Sequence, residues 1–495
     1  MSQQVDWTPP APGLFGSSFR LGEWISGPVT PLFEDWALTR LEDAMHAAHR
    51  SWSGQPAPRP HHVVINGWYF YSLAWLPVTP RALLRWAPSL TWHLLRHPRR
   101  LGPILPATTK YGIDWWERRW RDDIQPWYVA AVADAARQAE TDDPRDLPRL
   151  IDAVLDDAGT YFAWVTVVGG AAYKAEMELA RFYHKHLEPL MGGTHLDLLV
   201  GLDLSTPSPP HAVTSLDWSW PTLGEGQRKA GVPRPGLDGE MRARRRTAEQ
   251  EARGALAGDP RRLRQFDEVL ALAQHLAPIR EEQMNEFTMP WPVLRRALGR
   301  IAEQLVRRGS IAEESDVYFL RRAELEASLA DASSGLPGHR VDDRRAAVAQ
   351  AASLSPPALV GDVPRLLTKM LDMTVTNMGV STRTGDDLWG IPVSPGIATG
   401  QVRVVLDAGD FDAFQAGEVL VAPATAPAWT QLFARASAVV TDAGNLFSHA
   451  SVAAREFGIP AVVGCAGATR RLTTGQHVTI DGSKGTVSAV DDVER

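Results

Sequence analysis

The chain has 495 residues, long enough for two or three domains, and its 44% hydrophobic and 22% charged content is that of an ordinary soluble protein. A net charge of −7, with acidic residues around each basic run, argues against nucleic acid as the main partner. The one cysteine, Cys465, leaves no intrachain disulfide and fits a cytoplasmic location, and no stretch reads as a signal peptide or a membrane span.

In chain order, helical spacing of apolar residues predicts helices over 35–50, 80–96, 114–140, 148–190, 238–256, 262–287 and 293–308. Val269, Leu272, Ala273, Leu276 and Ile279 carry the pattern in the sixth, and Gly309 is the expected stop of the seventh. The Pro-, Ser- and Gly-rich stretch 206–235 predicts an extended loop, and 331–361 a loosely packed helix with flexible flanks. Residues 372–387 are polar and without periodicity, as expected of a hinge linker. Short β-rich runs follow at 400–406, 418–422, 438–441, 478–481 and 486–490, with at least two helices among them. Of 18 tryptophans, only Trp429 lies beyond Trp389, so the two parts build their interiors differently. The expected organisation is multi-domain: a mostly α-helical domain over 1–371, a hinge linker over 372–387 and a β/α domain over 388–495.

The chemistry concentrates in Thr441–Gly464, TDAGNLFSHASVAAREFGIPAVVG. A Gly444-Asn445 turn leads through Ser448 to His449, which opens a short helix. A histidine there sits beside unpaired backbone N–H groups and the positive end of the helix dipole, which favour an anionic phosphoryl group on its ring. Imidazole is also nucleophilic near neutral pH, so it can accept a phosphoryl group and hand it on. The plain alternatives are a surface or capping histidine, an N-cap role for Ser448 and a turn glycine at Gly444.

Residues 388–495 resemble the swivelling phosphohistidine domain of PEP-utilising enzymes, the group that includes pyruvate phosphate dikinase, PEP synthase and rifampicin phosphotransferase. The likeness rests on LWGIPVSPGIATGQVRVV, GEVLVAPATAPAWTQLF, ASAVVTDAGNLFSHAS and GQHVTIDGSKGTV in that order. It is strongest for the rifampicin-phosphotransferase type, through PAWTQLF and AREFGIPAVVG. The resemblance implies that His449 is a phosphohistidine. Asn445 stands where the family often has a second glycine, and asparagine also tolerates positive φ. Shorter likenesses to the helical substrate domain of the same proteins lie at Val29–Leu32, Asn66–Phe70, Arg280-Glu281-Glu282 and Leu298–Leu320.

Full-length relatives also carry an ATP-grasp domain, and some a PEP-binding barrel. No glycine-rich phosphate loop followed by Lys-Ser or Lys-Thr is expected here, and Gly482–Thr486 reads as the final turn of the swivelling domain. The resemblance therefore implies a phosphoryl-carrier and acceptor-binding component of a split phosphotransferase. Mg-ATP would act through a separate ATP-grasp protein, and the acceptor would be a hydroxyl of a small molecule. No directly bound cofactor, metal, nucleic acid or membrane is expected. Transient phosphorylation ending in dehydration, a regulatory subunit that keeps only the fold, and a self-sufficient enzyme with a repurposed histidine remain as alternatives.

Gly444, Asn445, Ser448 and Arg455 are the candidates for supporting the phosphoryl site. Arg455 can bring positive charge or simply be an exposed helix arginine. For the acceptor pocket the candidates are Asn66, Tyr69, His195, Arg280 and Glu282, each otherwise a core or surface residue, with His195 the candidate to deprotonate the hydroxyl. Trp115, Trp116 and Trp120 read as a ligand wall or as core. His449 is expected at an exposed helix start, where its removal costs under about 1 kcal/mol.

Overall fold

The computed structural model describes residues 5–17, 20–25, 27–53, 59–73, 110–202, 209–226, 237–331, 338–354, 356–357, 359–361, 388–406, 408–446, 448–465 and 467–490. The helix expected at 80–96 and the linker expected at 372–387 lie outside them. By compactness the chain divides into two units. One comprises Met1–Val167, Pro210–Gln227 and Glu286–Leu367, the other Val168–Pro209, Arg228–Asn285 and Thr368–Arg495.

In the first unit, Asn66 and Gly67 stand at φ 51° and 82°, the two left-handed positions of a tight hairpin turn. Four short strands, β1 (Leu14–Gly16), β2 (His62–Ile65), β3 (Trp68–Ser72) and β4 (Leu359–Gly361), form an antiparallel sheet in the order β2-β3-β1-β4. Ile65 pairs with Trp68 across the turn. Helical periodicity gave no sign of this sheet. The signal it overlooked is an Asn-Gly pair flanked by β-branched and aromatic residues.

The expected helices appear as Thr39–Ser53, Lys110–Arg119 with Gln125–Thr141, Leu147–His186, Leu237–Ala255, Pro260–Phe287 and Trp291–Arg307. In the last of these Leu294, Ala297, Leu298, Ile301, Ala302 and Leu305 are buried at helical spacing. Gly309, at φ 72°, ends it: the Gly309 amide donates to the Val306 carbonyl and the Ser310 amide to that of Leu305.

The extended loop expected over 206–235 needs correcting. Of its described part, residues 212–218 and 222–223 are buried in the first unit. Trp218 is fully buried and meets Phe33 and Trp36 edge-on at 5.6 and 6.1 Å. The Asp217 carboxylate accepts from the Thr30 amide at 2.6 Å and from its hydroxyl, so the turns are satisfied internally. Proline and glycine marked the turns but carried no information about exposure. The 331–361 segment holds the expected helix, as Gly338–Ala352, and then a strand the sequence did not suggest, β4, which pairs with β1.

The second unit contains an eight-stranded sheet among the described residues. Its strands are β5 (Leu388–Trp389), β6 (Ile391–Ser394), β7 (Ile397–Val404), β8 (Val419–Ala422), β9 (Ala438–Thr441), β10 (Ala461–Val463), β11 (His477–Asp481) and β12 (Thr486–Ala489). They run in the order β5-β12-β11-β7-β8-β9-β10-β6, with β7, β8, β9 and β10 mutually parallel. Strands β8, β9 and β10 are buried along their whole length. Their unbroken apolar runs are what a parallel sheet covered on both faces requires. Val402, Val419, Val421, Val440, Val462, Val478 and Ile480 lie in its core. Cys465 is buried with them, and burial, helped by Asp442, pushes its thiol up to about 12.

Candidate functional site

Strand β9 delivers the chain into a tight turn, and the turn into the helix His449–Glu456. Gly444 takes φ 137° there, and an added Cβ would lie 3.0 Å from the Val463 Cβ and 3.1 Å from the Ser448 Oγ. Asp442 pins the turn by accepting from the Thr469 amide at 2.8 Å. Burial raises its carboxyl above the ordinary range, with the Thr469 hydrogen bonds opposing that shift.

Asn445 is not among the described non-glycine residues with positive φ, so it does not imitate a second glycine. Its carbonyl instead gathers the Ser448 Oγ at 2.9 Å and the Ser451 Oγ at 2.5 Å. Ser448 does occupy the N-cap position, but its side chain makes no cap bond. Both hydroxyls are committed to tying the turn to the first helical turn.

His449 is less exposed than its position at a helix start implied: its side chain is 14% exposed. Nε2 lies 3.2 Å from the Thr430 Oγ1, and that hydroxyl also donates to the Pro427 carbonyl at 2.7 Å. The Phe433 ring stands edge-on with its centroid 6.1 Å away. Nδ1 is buried without a hydrogen-bond partner and faces the Glu281 Oε2 at 3.7 Å, an ion-pair distance.

Glu281 is the residue the sequence passed over, although both neighbours were candidates. Its carboxylate is 11% exposed and lies 3.6 Å from the Arg280 guanidinium. Burial pushes its carboxyl up, but the His449 imidazole, Arg280 and Arg455 together hold it below the usual range. Glu282, one position on, is half-buried.

Arg455 corrects the expectation of an exposed helix arginine. It is 4% exposed, pairs with Glu176 at 2.5 Å and donates to the Leu446 carbonyl at 3.3 Å. Glu176, Arg280, Glu281, Val452 and Arg455 all line one narrow cleft of about 20 Å³. That is room for about one water.

His195 lies in the same unit, at the start of a short 3-10 turn capped by Thr194, and its Nε2 is buried without a partner. Burial, with the Arg455 charge, pushes it down to about 3, so it stays a neutral imidazole with little capacity to collect a proton near neutral pH. Asn66 and Tyr69 belong to the first unit. The Asn66 side chain donates to the Asp6 carbonyl, and the buried Tyr69 hydroxyl donates to Glu42 at 2.5 Å. Trp116 and Trp120 are core, whereas Trp115 is 52% exposed. Thus the structure gathers His449, Gly444, Asn445, Ser448, Arg455 and Arg280 in one neighbourhood and adds Glu281. No group of three His, Cys, Asp or Glu among the described residues is arranged to hold a metal ion. None of the described helices is long and apolar enough to cross a membrane.

Residues 414–485 match the family model of the PEP-utilising enzyme mobile domain. The chain is 37% identical over 192 residues to an uncharacterised phosphotransferase, YvkC, of Bacillus subtilis, covering 39% of this chain and 23% of that one. It is 32% identical over 243 residues to a rifampicin phosphotransferase of Streptomyces sviceus, covering 48% and 27%. Over 100 residues it is 48% identical to a probable phosphoenolpyruvate synthase of Pyrococcus horikoshii, covering 20% and 12%. The matches therefore span about a quarter or less of these relatives. Residues 414–485 are thus similar to the PEP-utilising mobile domain, and about half of the chain is similar to part of a rifampicin phosphotransferase.

Proposed function

We propose that this chain is the phosphoryl-carrier and acceptor-binding component of a split, cytoplasmic, ATP-dependent phosphotransferase. His449 takes a phosphoryl group from Mg-ATP through a separate ATP-grasp protein and passes it to a hydroxyl of a small-molecule acceptor. Residues 388–495 act as the swivelling carrier on a hinge at 372–387, and the helical region supplies the acceptor site. The observation that carries this reading is His449 at a helix N-terminus, behind the Gly444 turn, inside the matched mobile domain. Backbone amides and the helix dipole at that position stabilise an anionic group on the ring.

The cleft of about 20 Å³ beside Glu281 is too small for an acceptor. On this reading the carrier withdraws to load and to admit the acceptor, and closes against it for transfer. Transfer itself then needs in-line positioning and nearby positive charge, for which Arg280 and Arg455 are the available groups.

The test is incubation of the full chain with Mg-ATP and a free-standing ATP-grasp protein. The expected result is one acid-labile phosphoryl group per chain, absent in His449→Ala. Failure to load with every such protein, or undiminished loading of the variant, would overturn the reading. The mass of the product then separates a phosphorylated acceptor from a dehydrated one.

A further inference from the structure

The two nitrogens of His449 meet different surroundings. Nε2 faces the Thr430 hydroxyl, on the same β/α domain, at 3.2 Å. Nδ1 faces a carboxylate from elsewhere in the chain, Glu281 on the helix Pro260–Phe287, at 3.7 Å. Glu281 is itself held by Arg280 at 3.6 Å, and Arg455 is engaged by Glu176 at 2.5 Å. With the neutral His195 these are described ionisable groups near the ring, and Glu456, buried at the far end of its own helix, accepts from the Leu202 amide at 3.0 Å. A buried Nδ1 with no hydrogen-bond partner, beside a carboxylate, is a place for a proton.

We propose that Glu281 is a positioning residue for His449: it holds a proton at Nδ1, so that Nε2 carries the phosphoryl group and gives it up readily only while the carrier rests against this helix. The inference builds on the carrier reading above. In the step, the P–Nε2 bond breaks and its electron pair returns to Nε2. The acceptor oxygen forms the new P–O bond, and its proton passes to Nε2. The ring then carries a proton on each nitrogen, one facing the Glu281 carboxylate and the other the Thr430 hydroxyl. Away from this helix the ring lacks Glu281, and a phosphoryl group on it is held more firmly. Docking and reactivity are thereby coupled through one carboxylate.

The test loads the full chain with phosphoramidate, whose P–N bond breaks with release of ammonia as the P–His bond forms. No partner protein is needed. Wild type and Glu281→Gln, which keeps the shape and removes the charge, are compared with melting temperature as the control. The variant is expected to stay folded, with a melting temperature lowered by the loss of the Arg280 partner, and to load to the same extent, yet to lose its phosphoryl group about tenfold more slowly near neutral pH. Glu281→Asp, still a carboxylate, is expected to recover part of the rate. In wild type, phosphorus NMR is expected to place the group on Nε2. Equal discharge rates in wild type and Glu281→Gln, or a phosphoryl group on Nδ1, would overturn the proposal while leaving the carrier reading intact. Absence of any phosphoryl group on His449 would remove both.

Discussion

Arg455 and Glu176 form an ion pair at 2.5 Å that is nearly closed to water, with the side chains 4% and 12% exposed. Arg455 sits on the His449 helix, and its second nitrogen reaches back to the Leu446 carbonyl in the turn before it. One guanidinium thus ties the turn, the helix and Glu176 together. Removing it leaves a buried carboxylate without its partner. Arg455→Ala is expected to cost about 3–5 kcal/mol, measured by urea denaturation. Replacing both partners by Met and Leu is expected to recover most of that loss. A single variant within error of wild type would mean that the pair opens to solvent.

The hairpin at Asn66-Gly67 gives a second test, in the first unit. Gly67 stands at φ 82°, and an added Cβ would come within 2.9 Å of the Ala351 Cβ and 3.3 Å of the Pro28 Cβ. Gly67→Ala is expected to destabilise by about 1–3 kcal/mol. Asn66→Gly, at φ 51°, should stay within about 1 kcal/mol of wild type. Thermal melts of the two variants check the contrast, and equal effects would argue against this turn.

Much of the C-terminal β/α domain was legible in the sequence, because a strand buried on both faces has one pattern available to it. The expected strand at 438–441 coincides with β9, and those at 418–422 and 478–481 with β8 and β11 to within one residue. Strands β5, β6 and β10 were missed, being only two to four residues long with Gly or Pro beside them. The burial of Arg455 was not readable locally, since Glu176 lies 279 positions away. Nor could sequence choose among Arg280, Glu281 and Glu282. Each step along a helix turns the side chain by about 100°, so only the packing decides which one meets His449.

His62 supplies a pH dependence with a definite sign. Burial pushes its imidazole down, but Glu42, hydrogen-bonded to Nδ1 at 2.7 Å, with Glu34 and Asp43 beyond, outweighs that and raises it above the ordinary 6.5. A raised value means that the folded state binds the proton more tightly than the unfolded one. The stabilisation is therefore complete below 6.5 and is lost as pH climbs through the raised value. Relative to wild type, His62→Gln is expected to be least stable in mildly acidic buffer, with the gap closing as pH rises. A gap that stays constant with pH would show that the His62 charge contributes nothing.

His449→Ala tests site and fold together. At an exposed helix start the change would cost under about 1 kcal/mol. The ring, however, is only 14% exposed and is flanked by Thr430, Phe433 and Glu281. Its removal leaves Glu281 buried with Arg280 as its nearest cation. A loss of about 1–3 kcal/mol is therefore expected, together with complete loss of acid-labile phosphoryl incorporation. His449→Gln, which keeps some volume and hydrogen-bonding capacity, should recover part of the stability and none of the incorporation. That split matters because a merely structural histidine would lose both or neither. Denaturation curves and phosphoryl incorporation, read on the same two proteins, decide it: incorporation surviving in either variant would mean that another residue carries the group.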